Sequence, residues 1–213
     1  MEKYKISNNT LSEQAYKKIK ELIIDNVLKP GDRINQEKVA GDLGISKIPL
    51  IQALTLLSKE GLIEKLPRKG FFVKTFSREE LNDIFIVRSL FEMLGVTTLI
   101  DNLSSDSENI LKKFLKGFEN YYNQKKSKEY YDLDVKFHYF LIESSKNKKI
   151  ITLTEEFNIL LLCFTKGWVL DWKTSIEQHK KVINFILQKE KTKAENAIKS
   201  HIYSLREEFD KKS

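Results

Sequence analysis

Apolar positions in the first third of the chain change their period along the way. Ala15, Ile19, Leu22, Ile23 and Val27 recur about every 3.6 residues, the spacing of one helix face, with Ser12 placed to cap its start and Lys29-Pro30-Gly31 to stop it. A second helix is predicted from about Gln36 to Leu43, and Gly44 then makes a tight turn. Ser46 stands where it can cap a third helix, in which Pro49 is tolerated because first-turn amides have no intrahelical acceptor to lose. Ala53, Leu54 and Leu57 face inward on that helix, and Gly61 ends it. Leu62-Ile63-Glu64-Lys65-Leu66 and Phe71-Phe72-Val73-Lys74 then flank Pro67-Arg68-Lys69-Gly70 as a two-stranded ribbon with a basic tip. Helix, helix, turn, helix, basic hairpin is the order of a winged helix-turn-helix. A small helical domain that binds protein is the other reading of that order.

From Ser77 onward the period is helical throughout. Ser77-Arg78-Glu79-Glu80 reads as a capping box, and Leu81, Ile84, Phe85, Arg88, Phe91, Glu92 and Gly95 run along one long helix. Further helices are predicted over 106–125, 128–145, 148–170, 174–188 and 192–210. All three prolines and five of the eight glycines precede residue 75, so turn punctuation is confined to the first region. The expected fold is mainly α: a winged helix-turn-helix over 1–74, followed by an all-α antiparallel helical bundle over 75–213.

Composition narrows the class. With 41% hydrophobic residues in 213, a packed core is assured. The formal charge is +7, and its distribution matters more than its size: residues 1–74 carry 14 basic and 9 acidic side chains, so the excess gathers in the first third. Cys163, the single cysteine, excludes an intramolecular disulfide and reads as a small buried hydrophobe. No stretch reaches the roughly 18 to 20 uninterrupted apolar residues of a membrane span, and MEKYKISNNT lacks the apolar core of a signal peptide, which leads us to expect a cytoplasmic protein.

The three histidines of the chain are the main chemical signal. Asp134 and His138 stand one helical turn apart and project from one face, while His179 and His201 fall on two later helices. Oxygen and imidazole donors at such spacings can converge on one divalent cation when helices pack side by side. Taken singly, each residue is the ordinary hydrogen-bonded or exposed side chain that most such residues are; the convergence makes the case.

The stretch AYKKIKELIIDNVLKPGDRINQEKVAGDLGISKIPLIQALTLLSKEGLIEKLPRKGFFV resembles the DNA-binding domain of the GntR family of bacterial transcription regulators. LKPGDRI, the Gly44-Ile45-Ser46 turn, Pro49 to Leu54, Glu60-Gly61-Leu62-Ile63, and Arg68-Lys69-Gly70 with Val73 carry the likeness. The resemblance implies DNA contacts from Ser46, Lys47, Ile48, Ile51 and Gln52 of the recognition helix and from Arg68, Lys69 and Gly70 of the wing. The family usually shows Ser-Arg-Thr-Pro-Val-Arg-Glu-Ala-Leu at the start of that helix, whereas this chain has SKIPLIQAL. Lys47 keeps the first positive charge but cannot make the planar fork that fits guanine, and Ile51 keeps nothing of the second. Ile48 and Ile51 are suited to thymine methyl groups and Gln52 to an adenine edge, so either the operator differs from the family's G-rich half-site or binding is weak or partner-assisted.

Asp134-Val135-Lys136-Phe137-His138, then His179-Lys180-Lys181-Val182-Ile183, then His201 resemble the metal-binding pattern of the FCD effector domain of the FadR-like branch of GntR regulators. Arg88-Ser89-Leu90-Phe91-Glu92 and Ser145-Lys146-Asn147 support it. The resemblance implies Asp134, His138, His179 and His201 as ligands of a divalent transition metal (Zn, Ni, Mn or Fe), with remaining positions open to water or an effector carboxylate. Arg88 has two readings, a clamp on that carboxylate or a partner of Glu92 one turn on. Tyr130, Tyr131, Tyr139, Trp168 and Trp172 read as core or dimer surface, and Asp171 and the Lys146–Lys149 loop as solvated helix boundaries.

The function expected is a homodimeric transcription regulator, a repressor by family default, that binds a palindromic double-stranded operator and responds to a small carboxylate. Two copies are expected because one recognition helix reads only a few base pairs. The rivals are a metal-dependent hydrolase or isomerase with an appended DNA-binding domain, and a structural metal stiffening an interaction bundle. The sequence offers the enzyme no evident nucleophile or general base.

Overall fold

A computed structural model describes residues 10–25, 27–154 and 172–212, with backbone alone at 24, 127 and 205–212. The chain divides into two compact units with a boundary between Phe76 and Ser77. Cys163, Trp168, Asp171 and the far end of the helix expected over 148–170 lie outside the described residues.

In the first unit α1 (Leu11–Ile24), α2 (Gln36–Leu43) and α3 (Lys47–Lys59) precede a hairpin of β1 (Ile63–Leu66) and β2 (Gly70–Val73). Thr10, not Ser12, caps α1: its hydroxyl accepts from the Glu13 amide while the Glu13 carboxylate accepts from the Thr10 amide. Because α1 stops at Ile24, Val27 leaves the apolar stripe and is 63% exposed. Ser46 does occupy the cap position of α3, but its side chain makes no capping bond. Gly44 closes α2 in the left-handed region, where it is the residue of lowest cost. Ala15, Ile19 and Ile23 of α1 pack with Leu50, Ala53, Leu54 and Leu57 of α3, all essentially without exposure. Each large aliphatic side chain so buried contributes about 1.5–3 kcal/mol.

The hairpin is antiparallel, with Ile63 opposite Val73 and Leu66 opposite Gly70. Residues 31–34 run along its other edge: the Gly31 amide donates to the Val73 carbonyl, the Ile34 amide to Phe71, and the Val73 amide to Asp32. The LKPGDRI stretch therefore covers the free edge of β2, which the sequence pattern did not reveal.

The second unit consists of α4 (Arg78–Asp101), α5 (Ser105–Asn123), α6 (Ser127–Glu143), α7, helical over 148–154, α8 (Trp172–Leu187) and α9 (Lys191–Lys212). The Ser77–Glu80 capping box forms. No strand occurs among its described residues, in keeping with an antiparallel helical bundle. α4 packs on α6, α8 and α9, and α5 on α6 and α8. Gly95 is what lets α4 and α6 approach, since a Cβ there would run into the Leu141 carbonyl. Tyr130 is buried, stacked 5.6 Å from Trp172, and gives its hydroxyl proton to Ser175 at 2.8 Å. Among the described residues no single helix is long and apolar enough to cross a membrane.

Candidate metal centre and nucleic-acid interface

Four helices of the bundle meet at the histidines. α6 presents Asp134 and His138, α8 Gln178 and His179, α9 His201, and α4 Arg88 and Glu92. The three rings are buried, and their Nε2 atoms face one another at 3.4 Å (His138–His179), 3.2 Å (His179–His201) and 3.2 Å (His138–His201). Asp134 Oδ1 lies 3.3 Å from His179 Nε2 and 3.9 Å from His138 Nε2, and its side chain keeps 27% exposure. Of the expected quartet, the three histidines cluster on three helices and Asp134, the part-exposed member, approaches two of them.

Outer contacts assign the protons. Glu92 Oε2 is 2.6 Å from His138 Nδ1, and Gln178 Oε1 is 2.8 Å from His201 Nδ1. A carboxylate only accepts, and Gln178 directs its amide nitrogen to Ser204, so both Nδ1 atoms carry hydrogen, and in the neutral rings that a metal requires both Nε2 atoms would turn lone pairs into the cluster. His179 lies against Phe118, ring centres 4.6 Å apart, and its Nδ1 is buried without a partner among the described residues.

Such a donor set fits a cation. Two facing lone pairs 3.2 Å apart repel in a buried site unless a proton or a metal cation lies between them. A metal with nitrogens at about 2.1 Å sets them roughly 3.4 Å apart in a tetrahedron and roughly 3.0 Å in an octahedron, a range that brackets the observed separations. Burial, reinforced by neighbouring positive charge, holds the His179 and His201 imidazoles well below their ordinary value of 6.5, so they are neutral donors near neutral pH. Burial pushes the Asp134 carboxyl upward, with Glu92 adding to it and His138 and Arg88 opposing; its remaining exposure moderates the push. Burial would raise Glu92 too, but His138 and Arg88 outweigh it and hold the carboxyl below its usual value. Arg88 Nε binds Glu92 Oε1 at 2.6 Å, the pairing that was one of its two sequence readings.

In the first unit Ser46, Lys47, Ile48, Ile51 and Gln52 are all exposed, Ile48 at 70% and Ile51 at 40%. Two exposed isoleucines beside a buried Leu50-Ala53-Leu54-Leu57 seam define an outward apolar face on α3. Lys47 is held by Glu37 of α2 at 2.8 Å, and that contact keeps the Glu37 carboxyl below its ordinary value. At the wing tip Arg68 and Lys69 are exposed, with Arg68 at φ 61° and Gly70 at φ 99°.

Comparison with known sequences decides the family. The pattern described as "Bacterial regulatory proteins, gntR family" matches residues 11–73, and that of the "FCD domain" matches residues 83–204. The chain is a GntR-family DNA-binding transcription regulator with an FCD domain. It is 29% identical over 192 residues to the uncharacterized HTH-type transcriptional regulator YdhC of Bacillus subtilis, covering 88% of this chain and 86% of that one. It is 25% identical over 177 residues to the Nta operon transcriptional regulator of Aminobacter aminovorans, covering 82% of each. The solved structure of E. coli McbR/YncC superposes with a TM-score of 0.79 at 17% identity, over 97% of this chain and 100% of that one, which supports the fold. These relatives are regulators, and the hydrolase or isomerase alternative is set aside.

Residue reasoning missed three members of these surfaces. Glu92 was paired with Arg88 and not with His138. Gln178 sits beside a ligand candidate in sequence yet serves a different histidine, 23 residues on. Glu37 gave no signal, because its relation to Lys47 depends on how α2 and α3 cross.

Proposed function

We propose that the regulator is a repressor whose bundle, over 75–213, holds one divalent transition metal (Zn, Ni, Mn or Fe) on Asp134, His138, His179 and His201 and uses its open side to sense a small carboxylate. The domain over 1–74 carries the DNA contacts: Ser46, Lys47, Ile48, Ile51 and Gln52 from α3, and Arg68, Lys69 and Gly70 from the wing. Two copies act together on a palindromic operator, because doubling the contact is how a short recognition helix gains affinity and register. The cell compartment that fits such work is the cytoplasm. Arg88 is the cation nearest in role to an effector clamp, although its Nε is given to Glu92.

The observation that carries the reading is the set of three mutually facing Nε2 atoms, two of them on rings whose Nδ1 is engaged by an outer acceptor. The metal would supply positive charge and a coordination position for an anionic oxygen; the exposed part of Asp134 marks the approach. Elemental analysis of purified protein tests the site, and titration of operator binding with small carboxylates in the presence and absence of metal tests the response. One bound metal per chain and a carboxylate-dependent change in DNA affinity are expected. Near-complete burial of all three rings favours a second reading, a purely structural metal. In that case the metal raises the melting temperature while DNA binding ignores every carboxylate.

A further inference from the structure

We infer that Glu92 is a positioning residue of this centre: its carboxylate fixes His138 as the tautomer with hydrogen on Nδ1, and Arg88 balances the charge that the carboxylate brings into the bundle. The inference rests on the metal reading above. Glu92 is wholly buried on α4, on a face that also buries Ile84, Phe85, Arg88, Ser89 and Val96. A carboxylate there is strongly destabilising unless both oxygens are engaged by donors. They are: Oε1 accepts from Arg88 Nε and Oε2 from His138 Nδ1, each at 2.6 Å.

A purely structural ion pair would need only Arg88, one helical turn away. Glu92 instead reaches across to α6 with its second oxygen, along the crossing that Gly95 keeps close. Carboxylate acceptance at Nδ1 makes the opposite nitrogen a stronger donor and fixes the ring plane. The three rings are unequal in this respect. His138 has a charged partner, His201 the neutral amide of Gln178, and His179 none among the described residues. His138 is therefore the anchoring ligand.

Histidine-ring nitrogen–proton correlation spectra of metal-free wild type, with His138 identified by its loss in His138→Ala, report the tautomer directly. The Nδ1–H form is expected; an Nε2–H form overturns the inference whether or not metal binds. Zinc titration then compares wild type with Glu92→Gln, and with Arg88→Met/Glu92→Gln, which removes both buried charges and so keeps the fold if the single change does not. Affinity lower by about 10- to 100-fold in the folded variants is expected. Wild-type affinity in them overturns the inference. A wild type that takes up no zinc, nickel, manganese or iron overturns the metal reading instead, and the tautomer alone then decides the role of Glu92.

Discussion

Below pH 6.5 His179 and His201 stay neutral in the fold while the unfolded chain takes up protons, and stability should register the difference. Their imidazole values lie well below 6.5 in the folded protein, because burial penalises the cation. Above pH 6.5 both states are neutral and the full stability is present. As pH falls from 6.5 toward the lowered folded values, only the unfolded chain takes up protons, so stability declines. Metal-free protein should show a flat urea midpoint above pH 7 and a falling one from pH 6.5 to 5, steeper than a His179→Ala/His201→Ala variant by up to roughly 1.4 kcal/mol per pH unit for each group. Parallel curves for the two proteins would mean that the rings are protonated or open to water in the fold. The same variant should lose bound metal and any carboxylate response yet keep its helical circular dichroism, since six helices bury a core without the rings. Collapse of that helical signal would favour the structural-metal reading.

At the scale of elements, the sequence was legible wherever a local rule sufficed. The Ser77 capping box, the left-handed glycine after α2 and the basic hairpin are each specified by a few consecutive residues, and each stands where periodicity placed it. The start of α1 was misjudged although Thr10-Leu11-Ser12-Glu13 displays a capping box, because Ser12 is itself an acceptable cap and only reciprocal bonding to Glu13 separates the two. The edge pairing of residues 31–34 and the partners Glu92 and Gln178 were out of reach, since each depends on how separate elements approach. Gly95 shows how much rests on one approach. Replacing it with Ala gains about 0.8–1 kcal/mol of helix propensity but drives a Cβ into the Leu141 backbone, which cannot move without shifting α6. Overpacking of that kind costs about 1–3 kcal/mol, so net destabilisation is expected, and metal affinity should fall with it because α4 and α6 carry Glu92 and His138. A urea titration that finds Gly95→Ala as stable as wild type would show that the helices can separate freely.

Across the whole molecule, the charge of +7 and its concentration in the first third set how DNA is held. The recognition helix lacks the family's arginine pair and presents Ile48 and Ile51, so phosphate attraction should supply an unusually large share of the affinity. Binding should weaken steeply with salt, by about 0.9 logarithmic units per decade for each phosphate neutralised. Arg68→Ala should weaken binding to most sequences and flatten that slope by about one unit. Glu37→Gln should act in the opposite sense, because it removes the α2 carboxylate that holds Lys47 and frees Lys47 for a phosphate. Ile51→Arg changes the kind of contact: with one bidentate fork available to guanine, discrimination of roughly 1 to 3 kcal/mol should return. Operator selection from a random DNA pool, run on wild type and Ile51→Arg side by side, separates these effects, since phosphate contacts alter the amount of DNA retained and base contacts alter its sequence. A guanine gained in each half-site is the expected result. Identical motifs from both proteins would mean that residue 51 does not face the groove and that α3 docks by another surface.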